Sequence, residues 1–199
     1  MSEKDRIKVL VTGFEPFGGR SRNGSYEAVR LLPDIIEGAE IIKKEIPTEF
    51  INAGKIVCNM IDDLHPDIVV NAGEYTGTDS LHLEYVAINL MDSKDPDNAG
   101  VCPRDQRIES GSQNAYFSRL PLKKILEAEV EAGIAAEISY SAGAYVCNSV
   151  MYAVLNHIEQ NRLPIAAGFV HVPSADAARE VAGLRIVIAE TIADMSETC

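Results

Sequence analysis

The chain has 199 residues, of which 46% are hydrophobic and 24% are charged. This length and composition suit one globular domain with a well-filled core. The formal net charge of −12 repels a phosphate backbone, so we expect no nucleic-acid partner. No apolar run reaches the roughly 18 residues of a membrane span, and the polar start MSEKDRIKVLVTGF shows no signal-peptide pattern. We therefore expect a cytoplasmic protein without membrane contact.

The four cysteines are widely separated along the chain. They are Cys58, Cys102, Cys147 and Cys199, and no two of them form a CxxC pair. This spacing argues against a zinc site and against a disulfide scaffold. Cys199, at the last position, could reach a neighbouring subunit or simply end a frayed tail.

The first half of the chain alternates between predicted strands and predicted helices. Apolar, β-branched residues predict a buried strand over 7–14, which the proline and glycines that follow would end. Ser25 is a candidate cap for the first helix. The remaining predictions in chain order are helix 25–32, strand 40–46, helix 50–64, strand 66–73 and strand 81–90.

The second half opens with a polar loop, rich in Asp, Pro, Asn, Gly and Ser, over residues 92–112. Loops of this length often carry function. The predicted elements that follow are helix 122–133, closed by a glycine, strand 135–143, a helix that starts near Cys147, and strand 165–173. Ser174 is a candidate cap for a last helix, which carries Val181, Leu184, Ile188 and Ile192 at helical spacing. This alternation predicts a single α/β domain over 1–199, with helices on both faces of a central sheet.

Cys147 lies where a predicted strand gives way to a predicted helix. The first turn of a helix offers unpaired N–H groups and a partial positive charge, which stabilise a thiolate. The same N–H groups can hold the oxyanion that forms when the sulfur attacks a carbonyl. The small residues Gly143 and Ala144 leave room for a substrate. The alternative is a buried cysteine that acts only as a small hydrophobe.

A cysteine nucleophile needs a base and a group that orients the base. His171 is the best candidate base because it ends a predicted strand in GFVHVP, where loops begin. Glu84 is the candidate orienting acid because it interrupts the apolar stretch LEYVAIN, where an unpaired charge is costly to bury. The alternative partner for Glu84 is a lysine or arginine, and spacing alone does not decide between them.

Nine segments of the sequence resemble the pyroglutamyl peptidase family, also called pyrrolidone carboxyl peptidases. They follow the family order over nearly the whole chain: VTGFEPFGG (11–19), EAVRLLPD (27–34), EIPTEF (45–50), HPDIVV (65–70), LEYVAIN (83–89), DPDNAG (95–100), AYFSRLPL (115–122), AGAYVCNSVMY (142–152) and GFVHVP (168–173). The resemblance implies a three-layer α/β/α sandwich with a mixed, mostly parallel sheet.

The resemblance also implies an activity and a site. A Cys147, His171 and Glu84 triad would remove an N-terminal pyroglutamyl residue from blocked peptides through a thioester, without metal or cofactor. Phe14 and Phe17 would form the walls of a slot for the lactam ring, with Glu74, Tyr145 and Val146 beside it. The alternative for Phe14 and Phe17 is ordinary core packing. Family kinship further implies a homo-oligomer, often a tetramer.

The sequence departs from the family pattern near the expected substrate pocket. Glu74 replaces a usual glutamine and Thr78 a usual arginine in GEYTGTD, while Ala144, Tyr145 and Lys94 replace common threonine, phenylalanine and arginine. An ionised carboxylate only accepts hydrogen bonds, whereas an amide also donates them. Two alternatives therefore stay open at this point: a related cysteine amidohydrolase or peptidase with a changed substrate, and an inactive binding protein of the same fold.

Overall fold

The computed structural model describes residues 6–198. The described chain contains nine strands and five helices in the order β1 (Lys8–Phe14), α1 (Gly24–Leu31), β2 (Ile35–Ile36), β3 (Ala39–Ile46), α2 (Ala53–Leu64), β4 (Ile68–Glu74), β5 (Leu81–Glu84), β6 (Val86–Ile88), β7 (Ala115–Phe117), α3 (Leu122–Glu131), β8 (Ala136–Ser139), α4 (Val146–Asn161), β9 (Ala166–Val172) and α5 (Ala177–Thr198). Within residues 6–198, no helix combines the length and the apolar composition that a membrane span needs.

Seven of the strands form the central sheet, in the order β2-β3-β1-β4-β9-β5-β8. Strands β3, β1, β4 and β9 are mutually parallel, while β5 runs antiparallel to β9 and parallel to β8. The two remaining strands, β6 and β7, pair with each other in a separate ribbon. The expected mixed, mostly parallel sheet is confirmed.

Each face of the sheet packs against its own layer of helices. Along β9, Val170 and Val172 join the core that contains α1, α3 and α5. Ala167 and Phe169 alternate with them and join the core that contains α2 and α4. This period-two division is the expected consequence of strand geometry. The protein is therefore a single-domain three-layer α/β/α sandwich.

The sequence predictions differ from the structure mainly at edges and breaks. The predicted strand 81–90 is broken at Tyr85, whose N–H donates to Ser139 and whose C=O accepts from Ser118. Beyond this break the chain leaves the central sheet and pairs with β7, which the sequence did not indicate. The short edge strand β2 was also missed, and the strand predicted over 135–143 ends at Ser139.

Two predicted helix caps are wrong. Asn23, and not Ser25, caps α1, because its side-chain oxygen accepts the Ser25 N–H. Asp176, and not Ser174, caps α5, because its carboxylate accepts the N–H groups of Ala178 and Arg179. In both cases a residue with a suitable side chain stands two positions away, and local sequence does not choose between them.

Glu129 of α3 is a fully buried carboxyl group between α3 and α5. It is 0% exposed, and its oxygens have no hydrogen-bond partner among residues 6–198. A Cβ atom built on Gly183 of α5 would lie 3.3 Å from one of these oxygens, so α5 closes the space above it. Burial raises the pKa of Glu129 from 4.5 to about 7, because burial penalises the charged form.

We predict that Glu129 makes the free energy of unfolding fall as pH rises from about 4.5 to about 7. Because the folded state holds the Glu129 proton more tightly than the unfolded state, about 3 kcal/mol of stability is lost as pH rises across this range. Glu129→Gln should flatten this slope, as measured by chemical unfolding at pH 5 and pH 8. Glu127→Gln, at an exposed position of the same helix, should not. Equal slopes in all three proteins would contradict the prediction.

Candidate active site

The antiparallel pairing of β5 with β9 brings Glu84 to His171. His82 lies directly opposite His171 in this pairing, and Glu84 follows two residues later on the same face of β5. His171 Nδ1 lies 2.7 Å from Glu84 Oε1. Because a carboxylate only accepts hydrogen bonds, His171 Nδ1–H donates and Nε2 is left for another partner. Both side chains are buried, with Glu84 1% exposed.

Cys147 is the second residue of α4, after the cap residue Tyr145 and Val146. The first bond back to Tyr145 O comes from Ser149 N–H at 3.2 Å, so the three preceding N–H groups have no helical acceptor. Within the described part of the chain no side chain caps this end. The thiol is half-buried, and it therefore lies at an open, electropositive helix terminus.

Two features hold this helix start in place. The buried Asn148 side chain accepts the Ile88 N–H at 2.9 Å and donates to the carbonyls of Ile88 and Leu90. Gly73 of β4 lies under the thiol, and a Cβ atom there would come within 3.0 Å of Cys147 Sγ and 2.7 Å of Phe169. Only glycine leaves this space free.

His171 also interacts with Cys147. Burial alone lowers the pKa of His171, but the charge of Cys147 and the hydrogen bonds to Cys147 and Glu84 outweigh burial and raise the pKa to about 10. The acidic partners on both sides of the ring thus favour its protonated form, the imidazolium. The structure brings the three candidate catalytic side chains together, and their catalytic roles stay a prediction.

A cavity of about 400 Å³ opens beside this group. Its lining combines the three side chains with aromatic, small and polar residues: Glu74, Tyr75, His82, Glu84, Ser139, Ser141, Ala142, Gly143, Tyr145, Cys147 and His171. Tyr75, His82 and the serines were not predicted from the sequence. Of these residues, Tyr75 could most readily have been singled out from the sequence, since it directly follows a buried strand and begins a glycine-containing loop. Its ring centroid lies 5.9 Å from that of His171.

The predicted substrate-binding residues lie at different distances from this cavity. Tyr145 lines it, and its hydroxyl donates to Pro96 O at 3.2 Å. Phe17 does not line it but packs against Tyr145, with 6.1 Å between ring centroids. Phe14 and Val146 do not line the cavity. Phe14 is 2% exposed and packs toward Phe169 in the core, and Val146 is 0% exposed. Their roles in binding stay predictions.

Glu74 borders the cavity, but its carboxylate has partners elsewhere. It forms a salt bridge with Arg20, and its second oxygen accepts Gly24 N–H at 2.6 Å and Ser174 Oγ–H at 2.8 Å. Thr78 accepts the Ser80 N–H in a local turn and is not among the cavity-lining residues.

The long polar loop predicted over 92–112 reaches the same side of the site. Asp97 is buried and accepts the N–H groups of Phe50, Ala99 and Val101. Phe50 in turn packs edge-on against Tyr145, at 5.1 Å between centroids. The loop therefore supports the cavity wall at Tyr145.

A larger cavity, about 640 Å³, lies around Arg119 and Arg162. Its lining residues include no cysteine or histidine, so it offers no nucleophile and base, and the smaller cavity is the candidate active site. Among residues 6–198 no group of three or more His, Cys, Asp or Glu side chains is arranged to hold a metal ion.

This α/β/α sandwich with a thiol, an imidazole and a carboxylate at strand and helix ends is the arrangement of a cysteine peptidase. The sequence model described as pyroglutamyl peptidase matches residues 7–184. The pyrrolidone-carboxylate peptidase of Thermococcus onnurineus is 48% identical over 167 residues, 84% of each chain. That of Lactobacillus acidophilus is 42% identical over 168 residues, again 84% of each chain.

Solved structures agree with the sequence comparisons. Pyroglutamyl peptidase I of Bacillus amyloliquefaciens superposes with a TM-score of 0.90 at 34% identity, covering 94% of this chain and 98% of that one. A mutant pyrrolidone carboxyl peptidase from the hyperthermophile Pyrococcus furiosus gives a TM-score of 0.91 at 33% identity, covering 95% of this chain and 100% of that one. The chain belongs to the pyroglutamyl peptidase family.

We predict that Glu84 sustains the imidazolium of His171. Glu84→Gln removes the carboxylate charge at nearly constant shape, so the pKa of His171 should fall below its wild-type value of about 10 by about one unit or more. Histidine ring NMR across pH 5 to 11 measures this transition. The matched control is Glu137→Gln, which removes the carboxylate 2.8 Å from His82 and should leave the His171 transition unchanged. An unchanged transition in Glu84→Gln would contradict the prediction.

Proposed function

We propose that this protein removes an N-terminal pyroglutamyl residue from peptides through a thioester on Cys147, within one peptidase domain spanning 1–199. The observation that carries the proposal is the His171–Glu84 pair, 2.7 Å apart, placed beside a thiol at the open start of α4. Membership of the pyroglutamyl peptidase family supports the substrate class.

The acylation step uses the charges already present at the site. His171 holds the proton of the Cys147 thiol, and the sulfur attacks the carbonyl carbon that joins the pyroglutamyl ring to the next residue. The resulting oxyanion lies near the free N–H groups of the first turn of α4, which stabilise it. His171 then donates its proton to the leaving amine, the C–N bond breaks, and the shortened peptide departs.

Deacylation regenerates the thiol. Water enters the place of the departed amine and gives a proton to His171 as its oxygen attacks the thioester. The C–S bond breaks, pyroglutamate leaves, and His171 again holds the proton beside the sulfur. Glu84 keeps Nδ1–H directed toward itself throughout, so that Nε2 faces the reaction. The cycle consumes one water molecule per peptide bond.

The cavity suits a small uncharged ring. Its volume of about 400 Å³ is at the small end of ligand sites, and Tyr145, Ala142 and Gly143 give it flat or small walls. The relatives matched above do not favour the two alternatives considered from the sequence, a changed substrate and an inactive binding protein. Glu74, the main reason for the first alternative, is neutralised by Arg20.

We predict that Cys147→Ala abolishes release of a chromophore from a pyroglutamyl amide. Loss of the nucleophile should lower kcat by at least about 1,000-fold, measured on purified protein beside a panel of aminoacyl amides. Cys102→Ala, at an exposed cysteine outside the cavity, is the matched control and should retain wild-type turnover. Turnover retained in Cys147→Ala would refute the proposed mechanism, and cleavage of aminoacyl amides instead would refute the substrate class.

We also propose a cytoplasmic, homo-oligomeric protein. Cys58, Cys102 and Cys147 are free thiols, which suits a reducing compartment.

The exposed rings of Tyr85, Phe117 and Tyr140 form one cluster, with centroids 5.3 and 5.4 Å apart, and such patches commonly contact another chain. Light scattering after size exclusion should give a mass above one chain, and a monomeric mass would reject the oligomer. Cys199, the other candidate contact, lies outside the described residues.

A further inference from the structure

The carboxylate of Glu74 joins three separate segments at one edge of the sheet. Oε1 is the acceptor for Arg20, in the loop between β1 and α1. Oε2 accepts the N–H of Gly24, the first residue of α1, and the hydroxyl of Ser174, in the turn between β9 and α5. The Glu74 side chain is 2% exposed, whereas the Arg20 side chain is 46% exposed, so the carboxylate itself is buried and its contact to Arg20 lies at the surface.

Strand alternation explains why Glu74 faces these partners. Gly73 lies on the side of the sheet that faces Cys147 and Phe169. The next residue must point toward the opposite layer, where α1 and α5 pack. The carboxylate of Glu74 therefore extends toward α1 and the turn at Ser174, away from the thiol.

The contacts require an acceptor with two oxygens. All three partners are donors, and a carboxylate can accept from each of them. Its charge is also favourable at the first N–H of α1. The approach is close, because a Cβ atom on Gly24 would collide with Ser174 Oγ. Ser174 adopts φ +62°, a conformation uncommon for non-glycine residues, and its bond to Glu74 stabilises it there.

Each carboxylate oxygen of Glu74 connects to the active site through its own contacts. We call the Oε1 contact with Arg20 the first arm and the Oε2 contacts with Gly24 and Ser174 the second arm. Through Oε1, Arg20 is held over the Phe17 ring, 5.8 Å from its centroid, and Phe17 packs against the cavity-lining Tyr145. Through Oε2, Ser174 fixes the turn three residues beyond His171. The first arm supports the cavity wall and the second supports the base.

We propose that Glu74 is a positioning residue that acts on substrate binding through Arg20 and the Arg20–Phe17–Tyr145 contacts, without touching the substrate. The proposal rests on the pyroglutamyl peptidase activity proposed above. A glutamine at position 74 can keep its oxygen at the Oε2 position, for Gly24 and Ser174, but places an NH₂ group against Arg20. Glu74→Gln therefore breaks the first arm and leaves the second.

The test is a double-mutant cycle of Arg20→Gln and Glu74→Gln on hydrolysis of a pyroglutamyl amide. Each single variant should raise KM by about three- to twentyfold with kcat within about threefold. The double variant should be no worse than the worse single variant, because both remove the same contact. Glu74→Ala, which removes both arms, should lower kcat as well. Arg22→Gln, which breaks the exposed pair with Glu27, is the matched control.

Hydrogen exchange gives a second readout that needs no activity. Amides of 17–23 should exchange faster in Arg20→Gln and in Glu74→Gln, and not in Arg22→Gln. A KM effect in Glu74→Gln but none in Arg20→Gln, additive effects, a gain in pyroglutamyl turnover in Glu74→Gln, or unchanged exchange would overturn the proposal. Wild-type protein that cleaves no pyroglutamyl amide would instead reject the proposed function, and the exchange result would still decide whether Glu74 holds the loop.

Discussion

The active site depends on the interaction between the His171 imidazole and the Cys147 sulfur at the open end of a helix. The unpaired N–H groups at the start of α4 surround Cys147 with positive potential. Cys147 and Glu84 together raise the pKa of His171. Other features of the fold serve this contact. Asn148 fixes the start of α4 against β6, and Gly73 provides the space in which the sulfur lies. The antiparallel strand β5 places the Glu84 carboxylate beside His171.

The site also depends on the loops around it. The loop that contains Asp97 supports Phe50 and Tyr145 from one side, and the carboxylate of Glu74 holds the Arg20 loop on the other. The carboxylates of Asp97 and Glu74 are buried, and buried polar groups specify one geometry because loss of a partner leaves them unpaired. The aromatic wall of the cavity thus gains its position from hydrogen bonds several residues away.

The sequence was informative where a single residue type determines the chemistry. Cys147 at a strand-to-helix junction, His171 at a strand end and Glu84 within an apolar strand could each be singled out from local context. Sequence alone did not reveal that Glu84 and His171 lie on adjacent antiparallel strands, because strand pairing is set by contacts distant in the chain. The same limit explains the missed β2 and β7, the break at Tyr85 and the cap residues. The partners of Glu74 were equally hidden, because Arg20 and Ser174 are 54 and 100 residues away.

The pairing of β5 with β9 has a consequence for how this chain can change. Side chains alternate between the faces of a strand, so a slip of one residue in β5 would turn Glu84 into the layer of α1, α3 and α5 and bring Leu83 to His171. An insertion or deletion between β4 and β5, in the mostly exposed segment 76–79, changes the length of a connection and leaves the pairing of β5 with β9 intact. The same change inside Leu81–Glu84 would remove the carboxylate from the imidazole while leaving every catalytic residue present in the sequence. Counting motif residues in a divergent relative is therefore a weaker guide to activity than counting the spacing within this one short strand.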